Sequence, residues 1–485
     1  MKYAFPKALI EKYRLMPQTL KASFLFTLCG IAQKVVAFVF VPIYTRIMPA
    51  TDYGEYSVFL SWFQLITIFT TLNMWNYLIN NGMIDFADKK WDFVASLQGL
   101  STLITIVWFL IYIPLSNSWE SWTGLAFPSM LLMFLELLFM PSFEYWCSVK
   151  RFEYKAGGVV ALTIIQSVLM PALTIPMVLL TQQKGFAAIS GRVIAYTIPY
   201  IVGAFLLIRK SKHWYDAGMW KYALKFTIPL VPHFLSMMVL QQSDRIMIER
   251  MCGKAEAAMY SVAYQASMTL MIVNSAVLNV LIPYIYKGIN GGKNDEIKKR
   301  VMPILLLIGI LNLTGALFAP EIIAILAPSE YKQAIYIIPP VMMSNLFMFL
   351  FNLFATIEYY FKQTMLVAIA SFISAVVNVA LNYVYIGRYG FIAAGYTTMV
   401  CYLLFSIFHF IFMKRTCRKF LDGREVYDNK KLWVSVGVID ILALLIIPLY
   451  RRECLFFRYL IIGVIAVVIV IKRKRILVKM EESLK

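Results

Sequence analysis

The chain has 485 residues, of which 60% are hydrophobic and 15% charged, with a mean hydropathy of +0.71 and a formal net charge of +20. Soluble globular domains are only about 45–50% apolar, so these values exclude one. Six cysteines without paired spacing and three scattered histidines (His213, His233, His409) point to neither a disulfide frame nor a metal site.

Apolar runs of about 20 residues, the length a helix needs to cross a bilayer, recur throughout. In chain order they are Ala22–Ile47, Tyr56–Ile79, Val94–Leu115, Gly124–Val149, Gly157–Thr181, Gly185–Ile208 and Tyr222–Ile248. Then follow Ala257–Tyr286, Val301–Leu326, Ala334–Phe361, Thr364–Ile386, Phe391–Met413, Leu432–Tyr450 and Leu455–Ile471. They are continuous and twice as long as a barrel strand, which predicts an all-α polytopic membrane protein with about 14 transmembrane helices. The leading segment Met1–Lys21 carries five basic residues and prolines at 6 and 17. The first helix itself, rather than a cleavable leader, is therefore expected to direct insertion. With the N-terminus in the cytoplasm, 33 of the 46 Lys/Arg fall in inside segments, including Lys298/Lys299/Arg300, Lys414/Arg415/Arg418/Lys419 and Lys472–Arg475. The positive charge thus encodes topology, with both termini cytoplasmic. Nucleic acid is not expected as a partner.

An internal repeat is visible. Tyr56-Ser57-Val58 opens the second run and Tyr260-Ser261-Val262 the eighth; Arg46 matches Arg250 at the same offset. Glu144-Tyr145-Trp146 closes the fourth and Glu358-Tyr359-Tyr360 the tenth; Gly185-Phe186 opens the sixth and Gly390-Phe391 the twelfth. Each match pairs run n with run n+6, so the halves share orientation. This predicts two six-helix lobes related by pseudo-twofold symmetry, residues 1–215 and 216–431, with a substrate site at the repeat interface. Residues 432–485 would add a C-terminal helix pair, offering either a surface for a lipid tail or peripheral packing.

Charge inside such spans is costly, roughly 2.5–3.5 kcal/mol per basic residue at mid-membrane, and marks function by default. Lys34 lies mid-span in the first run and is either a cavity-facing cation or the partner of Glu136. Arg192, after Ser190-Gly191 in the sixth, has the same two readings, and Arg46 at the end of the first run faces cavity or headgroups. Lys225 reads as a snorkelling anchor. In the seventh run, His233, Gln241, Asp244 and Arg245 share an arc of about 120°. That face either lines a wet, anion-binding and proton-linked cavity or locks neighbouring helices. Adjacent residues point apart, so Asp244 and Arg245 are expected to have different partners. Glu136 and Asp244 are candidates for ion or proton coupling; Glu144 and Glu358 read as structural caps or inter-helix ties. No nucleotide-binding loop, Ser/His/Asp set or zinc motif occurs, so neither enzyme activity nor a cofactor is expected. The absence of a large outside loop argues against a polysaccharide polymerase or ligase.

Three segments carry a family resemblance. Pro42-Ile43-Tyr44-Thr45-Arg46-Ile47-Met48-Pro49 with Asp52-Tyr53-Gly54-Glu55-Tyr56-Ser57 resembles the end of the first helix in Wzx-type polysaccharide flippases. These belong to the multidrug/oligosaccharidyl-lipid/polysaccharide exporter superfamily. Similar in kind are Pro229 through Asp244-Arg245, and Asn378-Val379-Ala380-Leu381-Asn382-Tyr383 leading to Tyr389-Gly390-Phe391. The resemblance spans roughly residues 20 to 415. It implies an alternating-access transporter in the bacterial inner membrane that flips undecaprenyl-diphosphate-linked oligosaccharide for O-antigen, capsule or exopolysaccharide synthesis. It also implies membrane lipids and polysaccharide polymerase machinery as partners. Lys34, Arg192, Asp244 and Arg245 are the positions it carries over. The alternatives are a lipid II flippase or a cation-coupled multidrug exporter of the same superfamily.

Overall fold

In the computed structural model, which describes residues 17–451 and 454–464, every long regular element is a helix. In chain order we label them α1 (Gln18–Ile47), α2 (Ala50–Thr71), α3 (Lys90–Tyr112), α4 (Phe127–Phe152), α5 (Ala156–Leu180), α6 (Lys184–Ile208) and α7 (Ala217–Met251). There follow α8 (Lys254–Asn290), α9 (Asn294–Leu317), α10 (Ile338–Tyr360), α11 (Thr364–Tyr389), α12 (Ala393–Phe420), α13 (Asn429–Leu445) and α14 (Leu455–Val464). Among the described residues, 12 helical spans are long and apolar enough to cross a membrane. The 22-residue α2 and the short α14 occupy the two other expected positions. The chain is a multi-pass, all-helical membrane protein. The rest of the fourteenth run, the Lys472–Arg475 cluster and residues 1–16 lie outside the described residues.

Helix ends depart from the apolar runs where backbone chemistry intervenes. α2 stops at Thr71, short of the expected Ile79, because Leu72 and Asn73 adopt left-handed φ values of 49° and 53°; a short helix, Tyr77–Asp85, takes up the remainder. α7 tightens into a 3-10 turn at Ile228–Leu230, where Pro229 and Pro232 remove two backbone donors. The ninth run divides into α9 and a separate helix, Ala319–Leu326, with proline at its start. α8 is interrupted after Met268 without a proline. There the Asn345 side-chain amide on α10 donates to the Ser267 carbonyl at 2.7 Å, and Asn274 donates to the Asn345 carbonyl at 3.0 Å. This side-chain clasp replaces part of the helix ladder.

The chain divides into two compact units, Met1–Met238 and Val239–Lys485. In the first unit, α4 and α5 each pack on α6, and α3 on α4; in the second, α10 and α11 each pack on α12, and α9 on α10. The first part of α7 belongs to the first unit's core. Met219 and Ala223 are buried with Phe93, Val94 and Leu97 of α3, and the Trp220 indole donates to the Ser96 carbonyl at 2.9 Å. Gly99 makes this possible, since a Cβ there would lie 1.8 Å from the Trp214 carbonyl oxygen. α10 is the central helix of the second unit, with 94% of its spanning window buried. α13 buries Leu432, Val436, Ile439 and Ala443 and exposes Val434, Val438, Ile441 and Leu445. All six cysteines are free.

Candidate functional site

In the first unit the buried charges close on each other. α6 approaches α5 so tightly at Gly191 that a Cβ there would sit 2.6 Å from the Thr174 Cα. The next residue, Arg192, reaches α4 and forms an ion pair with Glu136, which is fully buried. The guanidinium also lies over the rings of Phe63 (4.8 Å) and Tyr196 (4.7 Å). One carboxylate oxygen, Glu136 Oε1, has no hydrogen-bond partner. Of the two readings open for Arg192, the geometry selects the paired one: its charge is neutralised within the unit. Lys34 is not brought to Glu136. It is exposed on α1 and has no ion pair or hydrogen bond among the described residues. Arg46 is exposed and donates to the Pro42 carbonyl at 2.8 Å, Lys225 is exposed, and His233 is half-buried beside Phe234.

In the second unit the adjacent Asp244 and Arg245 part, as the 100° helical step requires. Asp244 is fully buried. Its carboxylate accepts from Tyr260 on α8, from Asn382 on α11 at 2.6 Å and from Thr398 on α12 at 2.6 Å. Asn382 accepts in turn from Thr397, while Ser243 donates to Asn378 at 2.9 Å. Four helices therefore meet at one carboxylate through neutral donors, each a charge-assisted bond. This node was invisible as such in the sequence. The available signal was the i, i+4 pair Asn378/Asn382 on an otherwise apolar helix, and helical spacing does not say which neighbour such a pair faces.

Arg245 has the opposite surroundings. It is half-buried, donating to the Gln242 side chain at 2.8 Å and the Gln241 carbonyl at 3.1 Å, with its guanidinium 4.5 Å from the Tyr264 ring centroid. All of these partners are neutral. The adjacent Asp244 interacts with the guanidinium electrostatically, while the N–H donors not taken by Gln241 and Gln242 suit the oxygens of a carboxylate or phosphate.

The comparisons with known proteins bear on the family and the fold. The model of a family described as polysaccharide biosynthesis protein matches residues 19–288, more than half of the chain. A protein of the Lsg locus of Haemophilus influenzae is 21% identical over 373 residues, 74% of this chain and 89% of that protein. Among solved structures, the lipid II flippase MurJ in an inward closed conformation superposes with a TM-score of 0.66 at 14% identity, covering 94% of this chain and 99% of that one. An inward-facing multidrug resistance MATE family transporter of the MOP superfamily gives 0.64 at 11% identity, covering 79% and 94%. A MOP superfamily transporter from Pyrococcus furiosus gives 0.56 at 14% identity, covering 82% and 96%. The fold is thus that of MOP superfamily transporters, and the chain belongs to the polysaccharide biosynthesis protein family.

Proposed function

We propose that this protein is a flippase for undecaprenyl-diphosphate-linked oligosaccharide repeat units. It moves them by alternating access from the cytoplasmic to the outer leaflet of the bacterial inner membrane, for O-antigen, capsule or exopolysaccharide synthesis. The observation that carries this reading is Arg245, a half-buried guanidinium whose contacts are all neutral. Lys34, exposed and without an ion pair among the described residues, is the second candidate contact with the cargo. Arg192 takes an architectural role, because Glu136 neutralises it. Both termini are assigned to the cytoplasm by the basic residues of the connecting segments.

The energetics suit an anionic cargo. With the cytoplasm negative, outward passage of two negative charges gains roughly 4.6 kcal/mol per 100 mV. Desolvation is the obstacle, and cations held by neutral hydrogen-bond partners lower it. Asp244, held by donors on three other helices, is the proposed point at which an ion or proton acts on the second unit. Cargo that is itself a cation fits less well, because the buried carboxylates Glu136, Asp244 and Glu358 are already engaged. Lipid II, which shares the diphosphate, is the second reading, favoured by the likeness to MurJ over nearly the whole chain.

The test is loss of the protein followed by analysis of lipid-linked intermediates. Chemically intact repeat units should accumulate on the cytoplasmic leaflet and be cleared by the wild type but not by Arg245→Ala. Rescue of a MurJ-depleted strain instead would assign lipid II as cargo.

A further inference from the structure

The second unit holds a buried ionisable pair to which the reading above gives no part in transport. Glu358, two residues from the end of α10, faces His409 of α12, with Glu358 Oε1 and His409 Nδ1 2.8 Å apart and both side chains 0% exposed. Phe351 and Phe405 enclose the imidazole, with ring centroids at 5.5 and 4.6 Å. On the far side of each group one polar atom is buried and unpartnered: Glu358 Oε2 and His409 Nε2. Buried polar atoms are rarely left so, and each instance calls for a role.

The contrast with the first unit is instructive. An arginine does not deprotonate in proteins, so in the Arg192–Glu136 pair only the carboxylate can titrate. In the second unit both partners can: a glutamate and a histidine sharing one proton are neutral overall, which suits burial, and the pair has room for another. Within the sequence repeat, Glu144 is the counterpart of Glu358, and the residue 205 positions before His409 is Ala204. The imidazole is therefore peculiar to the second unit.

Other titratable groups on the surrounding elements are engaged or distant. The Tyr427 hydroxyl donates to the Leu353 carbonyl at 2.8 Å, Lys414 lies 5.3 Å from the Phe410 ring centroid, and the Cys417 thiol faces Met413. Tyr286 of α8 meets Tyr360, Lys431 pairs with Asp428, and Asp440 lies further along α13. Tyr359, the next residue, is 48% exposed, so the pair lies one residue from the surface of the protein, at the end of α10.

We propose that Glu358 and His409 form a proton-binding site in the second unit. The step is uptake of one proton from solvent. An N–H or O–H bond forms at one of the two atoms, the pair goes from neutral to singly positive, and nothing is oxidised or reduced. A single buried positive charge without counter-charge is costly, so proton uptake weakens the α10–α12 contact, and proton release restores it.

The test uses the full-length protein in lipid nanodiscs, without cargo, by infrared difference spectroscopy between about pH 8 and pH 5, where histidine changes charge. Acidification of the wild type should raise the protonated-carboxyl or imidazolium band, and this change should be absent from the double variant Glu358→Gln/His409→Gln. His409→Gln alone should show the Glu358 carboxyl protonated throughout, because a buried carboxyl without a cation favours its neutral form. Glu358→Gln, nearly isosteric, serves as control if the double variant does not fold: it should lack that carboxyl band. A wild-type spectrum insensitive to pH, or the same change in the variants, overturns the site. The measurement needs no glycan, so its failure leaves the cargo reading standing, and the converse holds.

Discussion

Arg245 lays its guanidinium over the ring of Tyr264, 4.5 Å from the centroid, while Gln241 and Gln242 take its N–H donors. The ring and the amides fix the position of the charge without neutralising it. Tyr264→Leu should therefore reduce export less than Arg245→Ala, since the cation–π contact contributes about 0.5–2 kcal/mol to placement only. Arg245→Lys should retain part of the activity, as a point charge without the planar fork. Export assayed by surface glycan at equal protein levels checks the order; Tyr264→Leu as damaging as Arg245→Ala would contradict it.

Arg192 and Glu136 are expected to behave as a structural couple. Removing either alone should destabilise the protein by about 3–5 kcal/mol, because an uncompensated charge stays buried. The double variant Arg192→Met/Glu136→Leu should recover most of that loss. Thermal unfolding of the purified variants in detergent reads the coupling, and additive losses would exclude it.

At Gly191 a Cβ would lie 2.6 Å from the Thr174 backbone. Gly191→Ala should lower stability by about 1–3 kcal/mol through overpacking and displace Arg192 with its helix. A melting temperature equal to wild type would show that α5 and α6 have more room than the structure gives them.

Outside the membrane-spanning helices, Glu153 at the end of α4 is ringed by Lys90 (2.7 Å), Lys155 (3.1 Å) and Lys150 (3.5 Å). Burial raises its pKa, but hydrogen bonds from Lys90 and Lys155 and the charge of Lys150 outweigh that and hold it down to about 2, against an ordinary 4.5. A folded-state value below the unfolded one stabilises above the unfolded value, and this stabilisation disappears as pH falls through the folded value. The melting-temperature difference between wild type and Glu153→Gln should therefore be full above pH 4.5 and shrink towards pH 2. A difference that does not change over that range would contradict the assignment.

The fold was largely legible because span length and hydropathy are direct consequences of bilayer thickness. What misled was continuity. The Tyr56–Ile79 run looks unbroken, yet the backbone reverses hand at Leu72 and Asn73, and hydropathy carries no information about φ. The intramembrane charges Lys34, Glu136, Arg192, Asp244 and Arg245 stand out in the sequence, and Glu136 is offered there as a partner of Arg192, but spacing alone does not choose between pairing and a cavity. Helical spacing places Glu136 and Arg192 on faces of their own helices; it does not say that α4 meets α6. The partners of Asp244 and Glu358 are hidden for the same reason: Asn382, Thr398 and His409 lie on other helices, and helical spacing does not say which helices meet.

Under the proposed function Arg245, held by neutral hydrogen-bond partners, receives the phosphorylated cargo. The most direct measurement is translocation of a diphosphate-linked oligosaccharide lipid by the purified protein in proteoliposomes, comparing wild type, Arg245→Ala and Lys34→Ala. Loss of a charge-assisted contact of about 1.5–3 kcal/mol predicts a fall of roughly ten- to a hundredfold for Arg245→Ala, and a fall for Lys34→Ala, with both variants folded. Translocation at the wild-type rate by both variants would contradict it.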